Sequence, residues 1–275
     1  MSLKAIAHCA RRGGREFLVV PAASLEEWAQ SQNLTPRQAM KAALAAGVFP
    51  ECYERNFPCL SAAQQLRLFQ AQVLVAGLGG LGGALAVFLA RTGVGRFLLA
   101  DGDAFAPSNL NRQLLADAGT LGQNKAQVTA RHLQDLNPAI EAEAFTDFLQ
   151  ARNLKELLPR VDLVVDGLDT MAARRVVATA AWEQAVPLVH GAVTGRFGQV
   201  ATLMPEDAGG LERLLNVLDT EPEAAREVLA PTVALVASLQ AMEAVRVLLG
   251  QPPAYRGALA HFDGDTGRLE IIPLA

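Results

Sequence analysis

Short, continuous apolar runs alternate with longer segments of helical character through most of the chain. The runs at residues 73–77, 97–100 and 162–166 each end at, or directly before, a glycine or an aspartate. Such runs are typical of strands that are buried on both faces of a parallel sheet. Helical segments follow them at residues 84–91, 124–136 and 172–184. The alternation predicts a doubly wound α/β fold with a mainly parallel sheet.

The remaining part of this pattern extends the sheet toward the C-terminus. Residues 204–230 are polar and predict a loop with one or two short helices, and Pro231 then begins a long apolar helix that extends to Leu249. Residues 258–262 and 268–272 flank the sequence DGDTG, which predicts a hairpin turn. DGDTG also resembles the start of a calcium loop, but the downstream glutamate is missing. Further strands are predicted at 140–145, 188–190 and 198–203, with a helix at 149–158.

The first part of the chain has a different pattern and is predicted to form a small helical extension. Residues 16–20 favour a short strand, Ser24 can cap a helix over residues 25–30, and Thr35 begins a second helix with Gln38 as its capping-box partner. Two short helices in succession also occur in DNA-binding helix-turn-helix units, but the few basic residues here favour a packing role. The character of the chain changes at Gln72, where the first buried strand begins.

Composition and charge narrow the range of partners. The chain has 275 residues, of which 51% are hydrophobic, and a net charge of −4, so no strong global field draws it to nucleic acid or to anionic lipid. The longest apolar segment is interrupted by polar and charged residues, and the N-terminus lacks the apolar core of a signal peptide. We therefore expect no membrane segment and a cytoplasmic location. The chain has three cysteines, Cys9, Cys52 and Cys59. An odd number at these spacings forms neither a disulfide framework nor a set of zinc ligands, so we expect reduced thiols.

A glycine-rich loop connects the first buried strand to the helix that follows it. Glycines allow a tight turn and a close approach of the backbone to phosphate, whose charge the amides at the helix start can accept. Asp101 ends the next strand, at the distance where a carboxylate meets a ribose hydroxyl in dinucleotide folds. On these features alone, an NAD-dependent oxidoreductase would be the default interpretation. The loop glycines that we expect to contact phosphate are Gly77, Gly79, Gly80 and Gly82.

The segment after the second buried strand changes this interpretation. It carries SNLNRQ at residues 108–113 and GQNK at 122–125, which places cationic and amide side chains at the carboxyl edge of the sheet, where ligands bind. Such groups suit a triphosphate, because they neutralise charge that grows on the α-phosphate and on departing pyrophosphate. The candidate residues are Asn109, Arg112 and Lys125.

The third buried strand ends in carboxylates, in the sequence DGLDT at residues 166–170. Asp166 is interpreted as a cap or as a solvent-facing residue. Asp169 comes after the strand and before a helix, and it is the better candidate for binding Mg²⁺, which prefers a few carboxylates together with phosphate oxygens. Helix capping is the alternative role for Asp169.

GLGGLGG, DGD, SNLNRQ, GQNK and GLDTMAARR, in this order, resemble the ThiF/MoeB/HesA family of E1-like adenylating enzymes. The resemblance covers residues 53–275 and so divides the chain into a helical extension, residues 1–52, and an adenylation domain, residues 53–275. It implies a Rossmann-like sheet, ATP and Mg²⁺, and a homodimer. Arg55 matches one arginine of a family motif that reaches into the partner subunit's ATP site, although Cys52 and Asn56 depart from that motif. The family reaction is attack by the C-terminal Gly-Gly carboxylate of a ubiquitin-like sulfur carrier on the ATP α-phosphate. By resemblance, the catalytic residues are Arg55, Arg112, Lys125 and Asp169, and Asp101, Ser108, Asn109 and Thr170 help to bind the nucleotide.

The chain also departs from this family in the number and position of its cysteines. Many members carry two CxxC pairs that bind zinc, whereas the C-terminal half here has no cysteine. We therefore expect no zinc and no thioester cysteine, and another protein would supply sulfur. Three alternatives stay open at this point: an E1-like enzyme that acts on a modified tRNA adenosine, a non-catalytic nucleotide-binding homologue, and the NAD-dependent oxidoreductase.

Overall fold

The computed structural model describes residues 2–220 and 227–274, and within them the N-terminal unit combines helices with a small sheet. Its elements are α1 (Leu3–Ile6), β1 (His8–Arg12), β2 (Arg15–Val20), α2 (Ala22–Ser31), α3 (Pro36–Ala45) and β3 (Val48–Pro50). The sheet has the order β1-β2-β3, in which β1 is antiparallel and β3 is parallel to β2. The strand predicted at 16–20 is therefore present, but the extension is not purely helical, because two further strands pair with it.

The two main helices of this unit begin differently. The prediction that Ser24 caps the first of them was wrong, because α2 starts earlier, after Pro21, and Ser24 lies inside it. The capping box at α3 is confirmed. The Thr35 hydroxyl accepts from the Gln38 amide at 3.2 Å, and the Gln38 side chain accepts from the Thr35 amide at 2.9 Å. These reciprocal bonds satisfy two amides that the first turn of a helix otherwise leaves open.

A single arginine of α3 joins the N-terminal unit to the main domain. The Arg37 guanidinium donates to the carbonyl oxygens of Gly95 at 2.8 Å and of Ala139 and Phe69 at 3.2 Å each. It also stacks on the Phe69 ring at 4.7 Å and forms an ion pair with Glu141 at 3.2 Å. Burial lowers the pKa of Arg37 from its ordinary value. Because one side chain satisfies several backbone carbonyls, the unit is held by specific polar contacts as well as by apolar packing.

The main domain contains one sheet of eight strands with helices on both faces. The elements are α4 (Ala62–Gln70), β4 (Gln72–Ala76), α5 (Gly80–Thr92), β5 (Arg96–Ala100), α6 (Lys125–Leu136), β6 (Glu141–Phe145), α7 (Ala151–Leu157), β7 (Leu163–Asp166), α8 (Met171–Glu183), β8 (Leu188–Thr194), β9 (Phe197–Leu203), α9 (Gly210–Thr220), α10 (Ala230–Leu248), β10 (Ala258–Asp263) and β11 (Arg268–Pro273). The strand order is β11-β10-β9-β8-β7-β4-β5-β6. Neighbours from β6 to β8 are parallel, and those from β8 to β11 are antiparallel.

Alternate residues of the central strands belong to two separate hydrophobic cores. In β4, Val73 and Val75 pack with α5, α6 and α10, whereas Leu74 and Ala76 pack with α7 and α8. This follows from strand geometry, since successive side chains point to opposite faces. The continuous apolar run of β4 is therefore explained by burial on both sides. The doubly wound fold that the sequence predicted is confirmed.

The long helix α10 lies in the larger of these cores. Among the described residues it is the one helix with the length and apolar composition to cross a bilayer, but half of that stretch is buried inside the protein. The α10 residues Val233, Val236 and Ala237 pack in the same core as α5. Glu243 is also buried on this helix, where its carboxylate accepts from the Thr202 hydroxyl at 2.7 Å and from the Tyr255 amide at 2.8 Å. These contacts are those of a core helix.

Candidate functional site

A cleft of about 1480 Å³ opens at the carboxyl ends of the central parallel strands. After β4 the chain runs outward through β5 and β6, and it then returns to place β7 on the other side of β4. Such a reversal leaves a crevice between the two diverging connections, and ligands of open α/β sheets bind there. The loops after β4, β5, β6 and β7 contribute to the cleft wall, together with residues of β8 and β9.

The glycine loop forms the floor of the cleft, as its position after β4 predicts. Gly77 has φ +81°, and a Cβ on Gly82 would lie 1.8 Å from the Gly77 carbonyl oxygen. A Cβ on Gly167 would in turn lie 2.7 Å from the Gly82 Cα. Gly82 itself therefore lies beneath the cleft, where three backbone segments cross, while Gly77, Gly79 and Gly80 line it. Gly79 caps α5 without any side-chain bond, so the amides of the first turn are available to an anion.

Asp101 connects this loop to the end of β5. Its Oδ2 accepts from the Leu78 amide at 2.7 Å, and its Oδ1 accepts from the Asp103 amide at 2.8 Å. Burial raises the pKa of Asp101 from its ordinary value, and the two amide hydrogen bonds oppose that shift. The carboxylate is thus held at the cleft wall by backbone donors.

Lys125 enters the cleft from the first turn of α6 and is largely enclosed. Its Nζ lies 3.2 Å from the Asp103 Oδ2, and its side chain is 9% exposed. The preceding residue, Asn124, caps α6 by accepting from the Gln127 amide, and its side-chain amide donates to the carbonyl oxygens of Asp101 and Asp103. The loop after β5 and the start of α6 are therefore joined, which fixes the position of the ammonium group.

The SNLNRQ segment contributes both lining and supporting residues. Ser108 and Arg112 line the cleft, and the Arg112 Nη1 donates at 2.9 Å to the Ser108 carbonyl and to the Asn111 Oδ1. Asn109 is buried, and its side chain accepts from the Ala106 amide at 3.0 Å. Asn109 therefore shapes the turn, and it is not part of the cleft wall.

The loop after β7 brings Asp169 and Thr170 to the opposite wall. Asp169 is exposed in the cleft, and the Thr170 hydroxyl caps α8 by accepting from the Ala173 amide at 3.3 Å. The capping role considered for Asp169 is thus performed by Thr170. The interpretation of Asp166 as a cap or solvent-facing residue was wrong. Asp166 is buried, its Oδ1 accepts from the Leu168 amide at 2.9 Å, and its Oδ2 lies 2.7 Å from the His190 Nδ1.

The sequence did not reveal two residues that hold this loop. Arg174 is buried and donates to the Leu168 carbonyl through Nη2 at 2.7 Å and through Nε at 3.0 Å. His190 comes from β8, beside β7 in the sheet. Arg174 is part of the GLDTMAARR motif, but the sequence alone does not show that its side chain binds a backbone carbonyl. That contact becomes apparent only when the loop is folded. His190 had no local signal, because its partner is distant in sequence.

Arg55 and the cysteines lie away from this cleft. Arg55 is exposed in the segment between β3 and α4, and it does not line the cleft. Cys9, Cys52 and Cys59 are free and exposed. Within residues 2–220 and 227–274, no group of three or more histidine, cysteine, aspartate or glutamate side chains is arranged to hold a metal ion.

Fold and cleft together define an open α/β protein with an anion-receiving loop, and two cations and a carboxylate line the same cleft. The chain belongs to the ThiF family, whose model matches residues 53–275. It is 37% identical to the sulfur carrier protein ThiS adenylyltransferase of Escherichia coli K12, over 76% of this chain and 84% of that protein. It is 35% identical to the molybdopterin-synthase adenylyltransferase of the same organism, over 76% and 86%. A crystal structure of E. coli MccB with ATP shares the fold at a TM-score of 0.69 and 18% identity, over 99% and 96% of the chains.

Proposed function

We propose that this chain is an ATP-dependent adenylyltransferase that activates the C-terminal Gly-Gly carboxylate of a ubiquitin-like sulfur carrier. The observation that carries this proposal is the composition of the cleft, which is lined by Arg112, Lys125 and Asp169 and contains the open helix amides of α5. Its volume of about 1480 Å³ exceeds the usual range for one small ligand, about 300–1,000 Å³. That size leaves room for a nucleotide together with an extended chain terminus. Family membership and the names of the relatives support the same reaction.

In the proposed reaction, a carboxylate oxygen of the carrier attacks the α-phosphorus of ATP. A new C–O–P linkage forms, the bond between the α-phosphorus and the bridging oxygen breaks, and pyrophosphate leaves with the bonding electrons. A carboxylate is already ionised at neutral pH, so no general base is needed. Lys125 and Arg112 would neutralise the charge that develops on the phosphates, and the α5 amides would orient them.

The residues present also fit a magnesium ion. Asp169 presents an exposed carboxylate to the cleft, and Mg²⁺ commonly combines one or two carboxylates with phosphate oxygens. Bound there, the ion would supply charge neutralisation to the polyphosphate. Asp101, which the Leu78 and Asp103 amides already engage, is assigned to the ribose. Ser108 and Thr170, which both line the cleft, are assigned to the nucleotide.

We further propose that the enzyme stops at the adenylate, without a zinc site or a thioester cysteine. Desolvation raises the pKa of the Cys52 thiol to about 11, although part of the residue is exposed. A thiol with such a pKa is almost entirely protonated at neutral pH and is a poor nucleophile. The absence of cysteine from the C-terminal half supports a separate sulfur donor. We place the enzyme in the cytoplasm, as a homodimer in which Arg55 serves the partner's site.

The first test is ATP–pyrophosphate exchange with Mg²⁺ against a panel of carriers that end in Gly-Gly. Each carrier is paired with a version that lacks the last glycine, and Asp169→Ala is the enzyme control. We expect exchange with at least one intact carrier, and loss of exchange both with its truncated form and in the variant. ATP binding without exchange for any carrier would contradict the proposal and would favour a tRNA-acting or a non-catalytic role. Tighter binding of NAD than of ATP would favour an oxidoreductase.

A further inference from the structure

One side-chain amide in the cleft wall is buried, and within residues 2–220 and 227–274 its oxygen finds no hydrogen-bond partner. Gln113 follows Arg112, lines the cleft, and is only 7% exposed. Its Oε1 has no hydrogen-bond partner among the residues that the structure describes. Buried polar atoms are nearly always hydrogen-bonded, and leaving one unpaired destabilises a protein. An unpaired amide that faces a ligand cleft therefore points to a bond made with the ligand.

The position of Gln113 restricts which ligand group that is. The Gln113 Nε2 lies against the glycine loop, 3.5 Å from where a Cβ on Gly79 would be. Gly79 is the N-cap of α5, so this end of the amide faces the amides that are available to phosphate. Phosphate oxygens can accept from Nε2, but they carry no donor for Oε1. The unpaired oxygen needs an N–H or O–H group beside an anion.

The C-terminal residue of a peptide supplies both groups within one unit. Its carboxylate accepts hydrogen bonds, and its own backbone N–H lies two bonds away along the chain. The terminal torsion of a glutamine side chain is soft, so rotation about it can present the enclosed Oε1 to the cleft. We propose that Gln113 holds the last residue of the acyl substrate. Its Oε1 accepts the final peptide N–H, and its Nε2 faces the reacting carboxylate and phosphate.

This inference rests on the proposed adenylation of a chain terminus. It adds a prediction about which chain termini the enzyme accepts. The site recognises a carboxylate that follows a secondary amide, and it discriminates against a terminus without that N–H. A carrier whose last glycine is replaced by sarcosine, which is N-methylglycine, keeps the carboxylate and lacks the donor. Leaving a buried acceptor unpaired is costly, so we expect kcat/KM for the sarcosine carrier to fall by about tenfold or more in the wild type.

The test compares both carriers in ATP–pyrophosphate exchange with the wild type and with Gln113→Met. Methionine fills a similar volume without polar atoms. In the variant we expect the KM for the normal carrier to rise by about tenfold, with the KM for ATP unchanged and no further loss on sarcosine substitution. Gln127→Met, on the exposed side of α6, is the matched control and should behave like the wild type. The melting temperature of Gln113→Met should equal or exceed that of the wild type, because an unpaired buried acceptor is removed.

The outcomes separate this inference from the proposed function. Equal losses on sarcosine substitution in the wild type and in Gln113→Met would overturn the role of Gln113 and leave carrier adenylation standing. A rise in the KM for ATP alone would do the same, because it would assign Gln113 to the nucleotide. No exchange by the wild type with any carrier would overturn both. The comparison of the two carriers in the wild type needs no variant, so equal kcat/KM values for both would overturn the inference even if Gln113→Met does not fold.

Discussion

Lys125 combines a charge with near-complete enclosure, with 9% of its side chain exposed. A buried ammonium is tolerated when it is paired, and Asp103 provides the partner at 3.2 Å. The same contact limits the positions that Nζ can occupy. Arg112 is fixed differently, by donation to the Ser108 carbonyl and to the Asn111 side chain. Both cations are therefore placed before the ligand arrives, which is the arrangement that lowers a barrier without reorganisation.

Removing either cation should slow the chemical step more than it weakens binding. For Arg112→Ala and Lys125→Ala we expect the exchange rate at saturating ATP to fall by about 100-fold or more, because charge stabilisation in the transition state is lost. Steady-state exchange kinetics measure this. Arg91→Ala, at the other end of α5, is the control and should be near normal. Nearly unchanged turnover in both cleft variants would refute the assignment of these residues.

The buried carboxyl of Asp101 should make stability depend on pH in a defined direction. Its folded pKa lies above its ordinary value of 3.8, so the folded state disfavours the ionised form. The stabilisation from the protonated form is complete below pH 3.8 and is lost as the pH rises through the folded pKa. Relative to Asp101→Asn, the wild type should therefore lose unfolding free energy across that interval. Urea unfolding of both proteins over a pH series measures this, and a difference that does not vary with pH would contradict it.

The thiols should be dispensable for adenylation. We expect Cys52→Ser and Cys59→Ser to retain carrier-dependent exchange within about twofold, because neither residue lines the cleft and surface changes rarely perturb a distant site. Exchange assays together with melting temperatures measure this. Loss of exchange in a variant that keeps its melting temperature would mean that a thiol takes part in the reaction.

At the scale of elements, the parts that the sequence predicted well are those with a strong local signal. The two-sided burial of β4, the capping box of α3 and the hairpin of β10 and β11 all follow from nearby residues. The small N-terminal sheet was largely missed, because β1 is mostly exposed and β3 has three residues. Neither strand carries a clear alternation. The Asp166–His190 contact was missed for another reason, since it joins neighbouring strands and depends on their register.

Where β4, α5 and the loop after β7 cross, two adjacent glycines differ sharply in the space available for a side chain. A Cβ at Gly82 would lie 1.8 Å from the Gly77 carbonyl oxygen, whereas a Cβ at Gly83 would lie 3.4 Å from the Leu78 carbonyl oxygen. Gly82→Ala must therefore displace the loop, and we expect ATP affinity to fall by at least tenfold or folding to fail. Gly83→Ala should keep ATP affinity and stability. Calorimetric ATP titration with thermal melting measures both, and equal behaviour of the two variants would contradict this account.

At the scale of the whole molecule, the cleft of one chain does not contain every residue that the family resemblance assigns to catalysis. Arg55 is exposed and lies outside the cleft. An assignment of Arg55 to catalysis therefore requires a second copy of the chain. The segment that carries Arg55 is anchored beside it, where the Tyr53 hydroxyl accepts from the Asn137 side chain at 2.9 Å. Arg55 thus projects from a fixed support.

Mixing two inactive variants tests this arrangement. Arg55→Ala and Arg112→Ala should each lose exchange, but a mixed dimer contains one site with both arginines intact. After unfolding and refolding together, we expect recovery of about a quarter of wild-type activity, because half of the dimers are mixed and each has one complete site. A mixture of Arg112→Ala and Lys125→Ala, which both alter the same cleft, is the control and should stay inactive. No recovery in the first mixture, with mixed dimers verified by mass spectrometry, would show that Arg55 does not serve the partner's site.

The position of α10 in the fold has a consequence for how the protein is made. This helix shares a core with α5, and its Val233 side chain lies 3.2 Å from where a Cβ on Gly80 would be. On the ribosome, α5 emerges long before α10, so the apolar face of α5 stays uncovered until α10 has been synthesised. Nascent chains of intermediate length should therefore bind chaperones and lack affinity for ATP. The phosphate loop is among the early parts of the protein to be synthesised, but it becomes functional late.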